Sequence, residues 1–100
     1  VIKTFKDDET QKIYQRQPSQ RLPAEIQQLA LRKLRMINNA TSMDDLRVVP
    51  ANQLEKLDGD GQWSMRIIEG WRICFQWQGK DVYNVEIVDT IDSKDRNKNG

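Results

Sequence analysis

The sequence contains no histidine and a single cysteine in 100 residues. Without imidazole the commonest general base near neutral pH is missing, which excludes Ser-His and Cys-His nucleophilic sites and most zinc sites. Cys74 alone cannot form an internal disulfide, and this fits a reducing, cytoplasmic compartment. Long apolar runs are missing as well: no stretch approaches the roughly 20 residues that a bilayer-spanning helix needs, so no membrane partner is expected. A cleavable leader is not expected, because residues 1–6 already alternate as a strand does. Net charge is also scarce. A formal +1 argues against a generic nucleic-acid binder, so any RNA contact must come from local clustering of Lys and Arg. Nothing in the pattern calls for a metal or another cofactor.

What is present is a polar chain, 31% charged, whose 37% apolar residues fall in periodic runs. That combination predicts one folded domain with a modest core rather than a disordered chain. Residues 1–5 read as a short strand. Asp8 or Thr10 is placed to cap a helix running to about Arg16, and Pro18 and the Arg21-Leu22-Pro23 step then break the chain. Residues 24–39 form the clearest helix: Ile26, Leu29, Ala30, Met36, Ile37 and Ala40 share one face at 100° per residue, with Leu34 at its edge. Lys33 falls within that apolar arc, where only its long stem is tolerable. Thr41 or Ser42 caps one further turn through Leu46. Residues 52–57 are a weak strand. Asp58-Gly59-Asp60-Gly61 is a turn, and residues 62–67, 71–77 and 82–88 are three strands of period two. The fold expected is α+β, with residues 1–89 as the domain and residues 90–100 as a polar, disordered tail.

The hairpin between the second and third of these strands carries the chemistry. Trp63, Met65 and Ile67 alternate with Ser64 and Arg66, and Trp71, Ile73, Phe75 and Trp77 alternate with Arg72, Cys74 and Gln76. A three-residue loop, Ile68-Glu69-Gly70, keeps the two faces separate and puts Gly70 in its left-handed position. The same register sets Arg66 directly across from Arg72. Like charges so placed repel. Either an anion bridges them, a phosphodiester being the natural match for two guanidinium forks, or Glu86 or Glu69 neutralises the pair. Lys56 can reach the same face or stand as a solvated surface lysine. Glu86 is a general base or, preferably, an arginine partner. Cys74 shares the arginine face and is a reactive thiolate or a small semi-apolar filler. Tyr83 and the three tryptophans read as core. Arg32, Lys33 and Arg35 on the long helix, with Arg21 before it, form a second basic cluster: a solvated face, or a contact for ribosomal RNA or an acidic partner.

Gln62-Trp63-Ser64-Met65-Arg66-Ile67, Trp71-Arg72-Ile73-Cys74-Phe75 and Val85-Glu86-Ile87-Val88-Asp89 resemble the C-terminal half of HigB-type toxins of the RelE/ParE superfamily. Residues 32–41 and 52–57 and the opening Ile2-Lys3-Thr4-Phe5 extend the resemblance over nearly all of residues 1–89. It implies a RelE-like fold: two to three N-terminal helices packed on one face of a twisted, mostly antiparallel sheet of four to five strands, the other face concave and active. It implies ribosome-dependent cleavage of mRNA, with the ribose 2′-OH attacking the adjacent phosphate and cations stabilising the charge that develops. It also implies neutralisation by a HigA-like helix-turn-helix antitoxin, through which alone operator DNA is bound. Arg72 matches the active-site arginine of the Trp-Arg-Ile motif. Arg66 and Lys56 match positions that are often basic, and Asp89, ending the matching segment, completes the candidate catalytic set. Two departures, Thr90-Ile91 in place of the usual Tyr-His and a turn without the usual arginine, imply weakened catalysis. A ParE-like poison of DNA gyrase, or an inert module that only binds antitoxin, are the alternatives of a different class.

Overall fold

The computed structural model describes residues 1–91, so most of the tail expected to be disordered lies outside the described residues. Three helices, α1 (Asp8–Tyr14), α2 (Ala24–Asn39) and α3 (Met43–Arg47), precede four strands: β1 (Glu55–Lys56), β2 (Gln62–Ile68), β3 (Trp71–Gln78) and β4 (Asp81–Asp89). The strands form one antiparallel sheet in sequence order. The N-terminal segment adds two isolated parallel bridges to β4, at Ile2 and Phe5, rather than a full strand. This is the α+β architecture the sequence pointed to, helices packed with a four-stranded antiparallel sheet.

The cap of α1 lies one residue before Asp8 and three before Thr10, the two expected caps. Asp7 is the N-cap, accepting from the Thr10 backbone N–H at 2.7 Å and from its hydroxyl at 3.1 Å. The helix stops at Tyr14, and Arg16 turns the chain in a left-handed conformation with φ 63°. In α2 the core stripe is Ile26, Ala30, Leu34 and Ile37. Leu34, expected at the edge, is fully buried, while Leu29 and Met36 are only half-covered. The stripe centre shifts to Leu34 because α1 and strands β2, β3 and β4 all pack on α2. The weak strand over residues 52–57 shrinks to Glu55–Lys56. Pro50 opens a 3-10 turn (Pro50–Asn52), and Gln53 then leaves the extended region altogether, with φ 42° and ψ 57°.

Met65, Ile67, Ile73, Phe75, Val82 and Val85 from the sheet join Ile13, Leu34, Ile37 and Leu46 in one core. Phe75 faces a bulge in β4, where Asn84 takes a positive φ of 55°. At the other end of β4, Thr90 donates to the Gly70 carbonyl through its backbone N–H at 2.8 Å and its hydroxyl at 2.6 Å. Thr90 and Ile91, placed by the sequence in the tail, therefore dock on the β2–β3 turn.

Candidate functional site

The predicted opposition of Arg66 and Arg72 is present, but it arises differently. Arg66 pairs with Arg72 and Ile68 pairs with Trp71, with a bulge between them at Ile67. The connection is thus a two-residue turn, Glu69-Gly70, and the bulge supplies the one-residue phase correction that the sequence reading assigned to a longer loop. Glu69, not Gly70, takes the left-handed conformation, with φ 52°. Gly70 is needed for closeness instead. A Cβ there would stand 2.4 Å from the Ile91 side chain.

Directly opposed residues of an antiparallel pair project from the same face. Arg66 and Arg72 therefore share one face, and Ser64, Cys74, Glu86 and Glu55 follow them by register. Arg72 is held at two points: its Nε donates to the Ser64 Oγ at 2.9 Å, and a terminal nitrogen donates to the Gln53 carbonyl at 2.6 Å. Both acceptors are neutral, so the guanidinium is oriented without being neutralised. Arg66 makes no hydrogen bond or ion pair among the described residues. The expected acidic partners are elsewhere. Glu86 bridges to Lys6 at 3.5 Å, and Glu69 is exposed in the turn. Glu86 thus pairs with a lysine where an arginine was expected.

Lys33 reaches the site from α2. Its Nζ donates to the Oδ1 of Asn52 at 2.6 Å. Burial of the ammonium, then the positive charges of Arg32 and Arg66, pull its pKa below the ordinary 10.5. Asn52 is fully buried and also donates to the Leu46 carbonyl at 2.9 Å. Sequence reasoning missed Ser64, Asn52 and Gln53. A buried Asn between Pro50 and a left-handed Gln carries no periodic signal, and a strand serine looks like any other polar residue.

Four candidates fall away from the arginine pair. Lys56 pairs with Trp63, and its Nζ lies 5.7 Å from the centre of that ring, so it sits over the tryptophan instead of beside Arg72. Asp89 pairs with Trp71, one residue out of phase with Arg72. It lines a cleft of about 300 Å³ together with Asp7, Glu9, Thr10 and Arg21. Arg21 is therefore set with acids at the opposite side of the sheet. Arg35 and Arg16 flank a separate groove over Ile13, Pro18 and Leu31, while Arg32 is exposed on α2. From the second basic cluster, Lys33, with Arg32 next to it, feels the charge of Arg66.

Cys74 lies on the arginine face, half-buried. Its thiol is pushed up from the ordinary 9.0, chiefly by burial and then by the Glu86 carboxylate, against the opposing pull of Arg72. It is a protonated thiol, not an activated thiolate. Among the described residues no group of His, Cys, Asp and Glu side chains is arranged to hold a metal ion.

A family model described as the RelE-like toxin of the type II toxin-antitoxin system HigB matches residues 3–91. The chain belongs to the HigB-like toxin family. It is 36% identical over 76 residues to Toxin HigB-1 of Vibrio cholerae, covering 73% of this chain and 80% of that protein. It is 30% identical over 84 residues to an uncharacterized protein of Haemophilus influenzae, covering 81% and 83% respectively. The family match ends at Ile91, where the chain has just docked on Gly70. Membership makes the chain a toxin of a type II toxin-antitoxin system, with an antitoxin as its partner. No helix among the described residues is long and apolar enough to cross a membrane.

Proposed function

We propose that this HigB-like toxin is an endoribonuclease that cuts mRNA on the ribosome in the cytoplasm and is silenced by a HigA-like helix-turn-helix antitoxin, through which alone the pair meets operator DNA. The observation that carries this reading is the opposed pair Arg66 and Arg72 on one face, with neutral acceptors holding Arg72 and, among the described residues, no acid paired to either guanidinium. Two like charges across a strand pair cost about 0.2–1 kcal/mol, and a bound anion turns that cost into attraction. In the reaction proposed, the ribose 2′-oxygen attacks the neighbouring phosphorus and the 5′-oxygen leaves. Negative charge grows on the non-bridging oxygens, and a pre-oriented Arg72 with Arg66 stabilises it. Lys33 and Arg32 extend the cationic path toward α2 and would carry a neighbouring phosphate. The chain has no imidazole, so proton transfer falls to water or to Glu86, which supports a slow nuclease. Lys56 and Asp89 join this scheme only by moving from the positions described above.

The absent imidazole is also what favours the second reading, a ParE-like toxin that binds DNA gyrase without cutting RNA. Mapping mRNA 5′ ends in a translating extract, with wild type and Arg72→Ala, separates them. New ends made by wild type and lost in the variant support the nuclease. No new ends, with gyrase-trapped DNA breaks instead, would overturn it in favour of the second. Neither effect would leave an antitoxin-binding module.

A further inference from the structure

The arginine pair is served by a device outside the sheet. Asn52 is the last residue of the 3-10 turn and is fully buried. Its amide group is held from two elements: Lys33 of α2 donates to its Oδ1 at 2.6 Å, and its Nδ2 donates to the Leu46 carbonyl of α3 at 2.9 Å and approaches the sulfur of Met36, also on α2, at 3.4 Å. The next residue, Gln53, is left-handed, a conformation that costs a non-glycine residue free energy and persists only where its surroundings enforce it. The Gln53 carbonyl is the acceptor for the terminal nitrogen of Arg72.

We propose that Asn52 is a positioning residue for Arg72. By anchoring the 3-10 turn to α2 and α3 it enforces the left-handed bend at Gln53, and that bend aims the carbonyl that fixes one end of the guanidinium while Ser64 fixes the other. Helix layer and sheet face are thereby coupled through one amide side chain. The role in catalysis rests on the nuclease reading above; the role in holding Arg72 does not. Asn52 touches no reacting atom, so its removal acts on the orientation of the charge that meets the transition state. It lowers kcat with little change in KM.

The test uses the full chain as Asn52→Ala and, because a buried cavity can unfold the first variant, as Asn52→Asp, which keeps the size and the Lys33 bond but loses the amide donor. The first readout is solvent exchange of the Arg72 terminal Nη–H groups, the end that the Gln53 carbonyl holds, by nitrogen-15 NMR. Exchange at least tenfold faster than wild type in a folded variant supports the proposal, and unchanged exchange in folded Asn52→Asp overturns it. The second readout is cleavage in the translating extract. A roughly tenfold fall in kcat with KM within twofold supports it, and full kcat in a folded variant overturns the catalytic half. If wild type itself does not cut, the nuclease reading fails while the exchange measurement still decides the positioning of Arg72.

Discussion

Arg66 stands directly across the β2–β3 ladder from Arg72, with the Ile67 bulge fixing the alignment. A hairpin selected for stability alone would put an acid opposite an arginine. Replacing Arg66 by Gln should therefore leave stability unchanged or raise it by about 0.2–1 kcal/mol, the range for relieved cross-strand repulsion. Cleavage should fall by about a hundredfold, as on losing a donor to a developing oxyanion. Urea denaturation and mRNA-end mapping on the same preparation check both halves. A variant that is less stable and fully active would show Arg66 to be a structural residue.

Ser64 is almost completely buried, and its hydroxyl accepts from the Arg72 Nε. Ser64→Ala keeps the packing and removes that acceptor. The expected cost is about 1–2 kcal/mol, since the lost bond is charge-assisted and partly buried. Cleavage should fall with it, while binding of the antitoxin is retained. Calorimetric titration with antitoxin separates the two, and loss of antitoxin binding together with cleavage would mean that the arginine face is also the docking face.

Gly70 and Ile91 make a pair that no strand pattern announces. A methyl group on Gly70 would overlap the Ile91 side chain. Gly70→Ala should destabilise by about 1–3 kcal/mol, as overpacking does, unless Ile91 swings out. Ile91→Ala should then restore most of the loss, giving a double-mutant coupling well above 0.5 kcal/mol. Additive losses would show that Ile91 does not rest on the turn.

How legible the molecule was follows from which signals are local. Strands β2, β3 and β4 announce themselves because Trp63, Met65, Ile73, Phe75 and Val85 alternate, and α2 because Ile26, Ala30 and Ile37 repeat at helical spacing. The opposition of Arg66 and Arg72 followed from face matching alone, even though the loop was given three residues and a bulge does the work. What stayed hidden depends on contacts distant in sequence. Leu34 moved to the centre of the core because α1 and the sheet both pack on α2. Lys56 was separated from the arginine pair by a strand only two residues long, whose phase nothing local sets. Asn52 and Gln53 were read as strand, since neither the 3-10 turn after Pro50 nor the left-handed bend has a periodic signature.

Cys74 sits on the arginine face yet is built to be quiet. Burial and the Glu86 carboxylate raise its pKa above 9.0, so at pH 7 it is protonated and reacts slowly. Alkylation by iodoacetamide at pH 7.5 should run at least tenfold slower in the folded protein than in urea, and Cys74→Ser should cleave mRNA like wild type. The raised folded value also fixes a sign. Above about pH 9 the unfolded chain releases the thiol proton first, so this group subtracts stability as pH rises. Rapid alkylation at neutral pH with loss of cleavage would return Cys74 to the list of working residues.

The loop between α1 and α2 is latched by a carboxylate. The Ser19 hydroxyl donates to Glu9 at 2.5 Å, and Lys12 bridges to the other oxygen at 3.1 Å. Gln27 holds the Ser19 backbone from α2, accepting from its N–H at 3.0 Å and donating to its carbonyl at 2.8 Å. The Ser19 bond first, and Lys12 next, hold the Glu9 carboxyl below its ordinary 4.5. A carboxylate whose folded pKa is depressed stabilises the fold fully above the unfolded value, and that contribution disappears as pH falls through the folded value. Wild type should therefore lose stability on acidification below about pH 4.5 more steeply than Glu9→Gln, which cannot titrate and is already weakened at pH 7. Urea midpoints measured from pH 6 to pH 3 should converge for the two proteins. Parallel curves across that range would mean that the latch closes equally well without its charge.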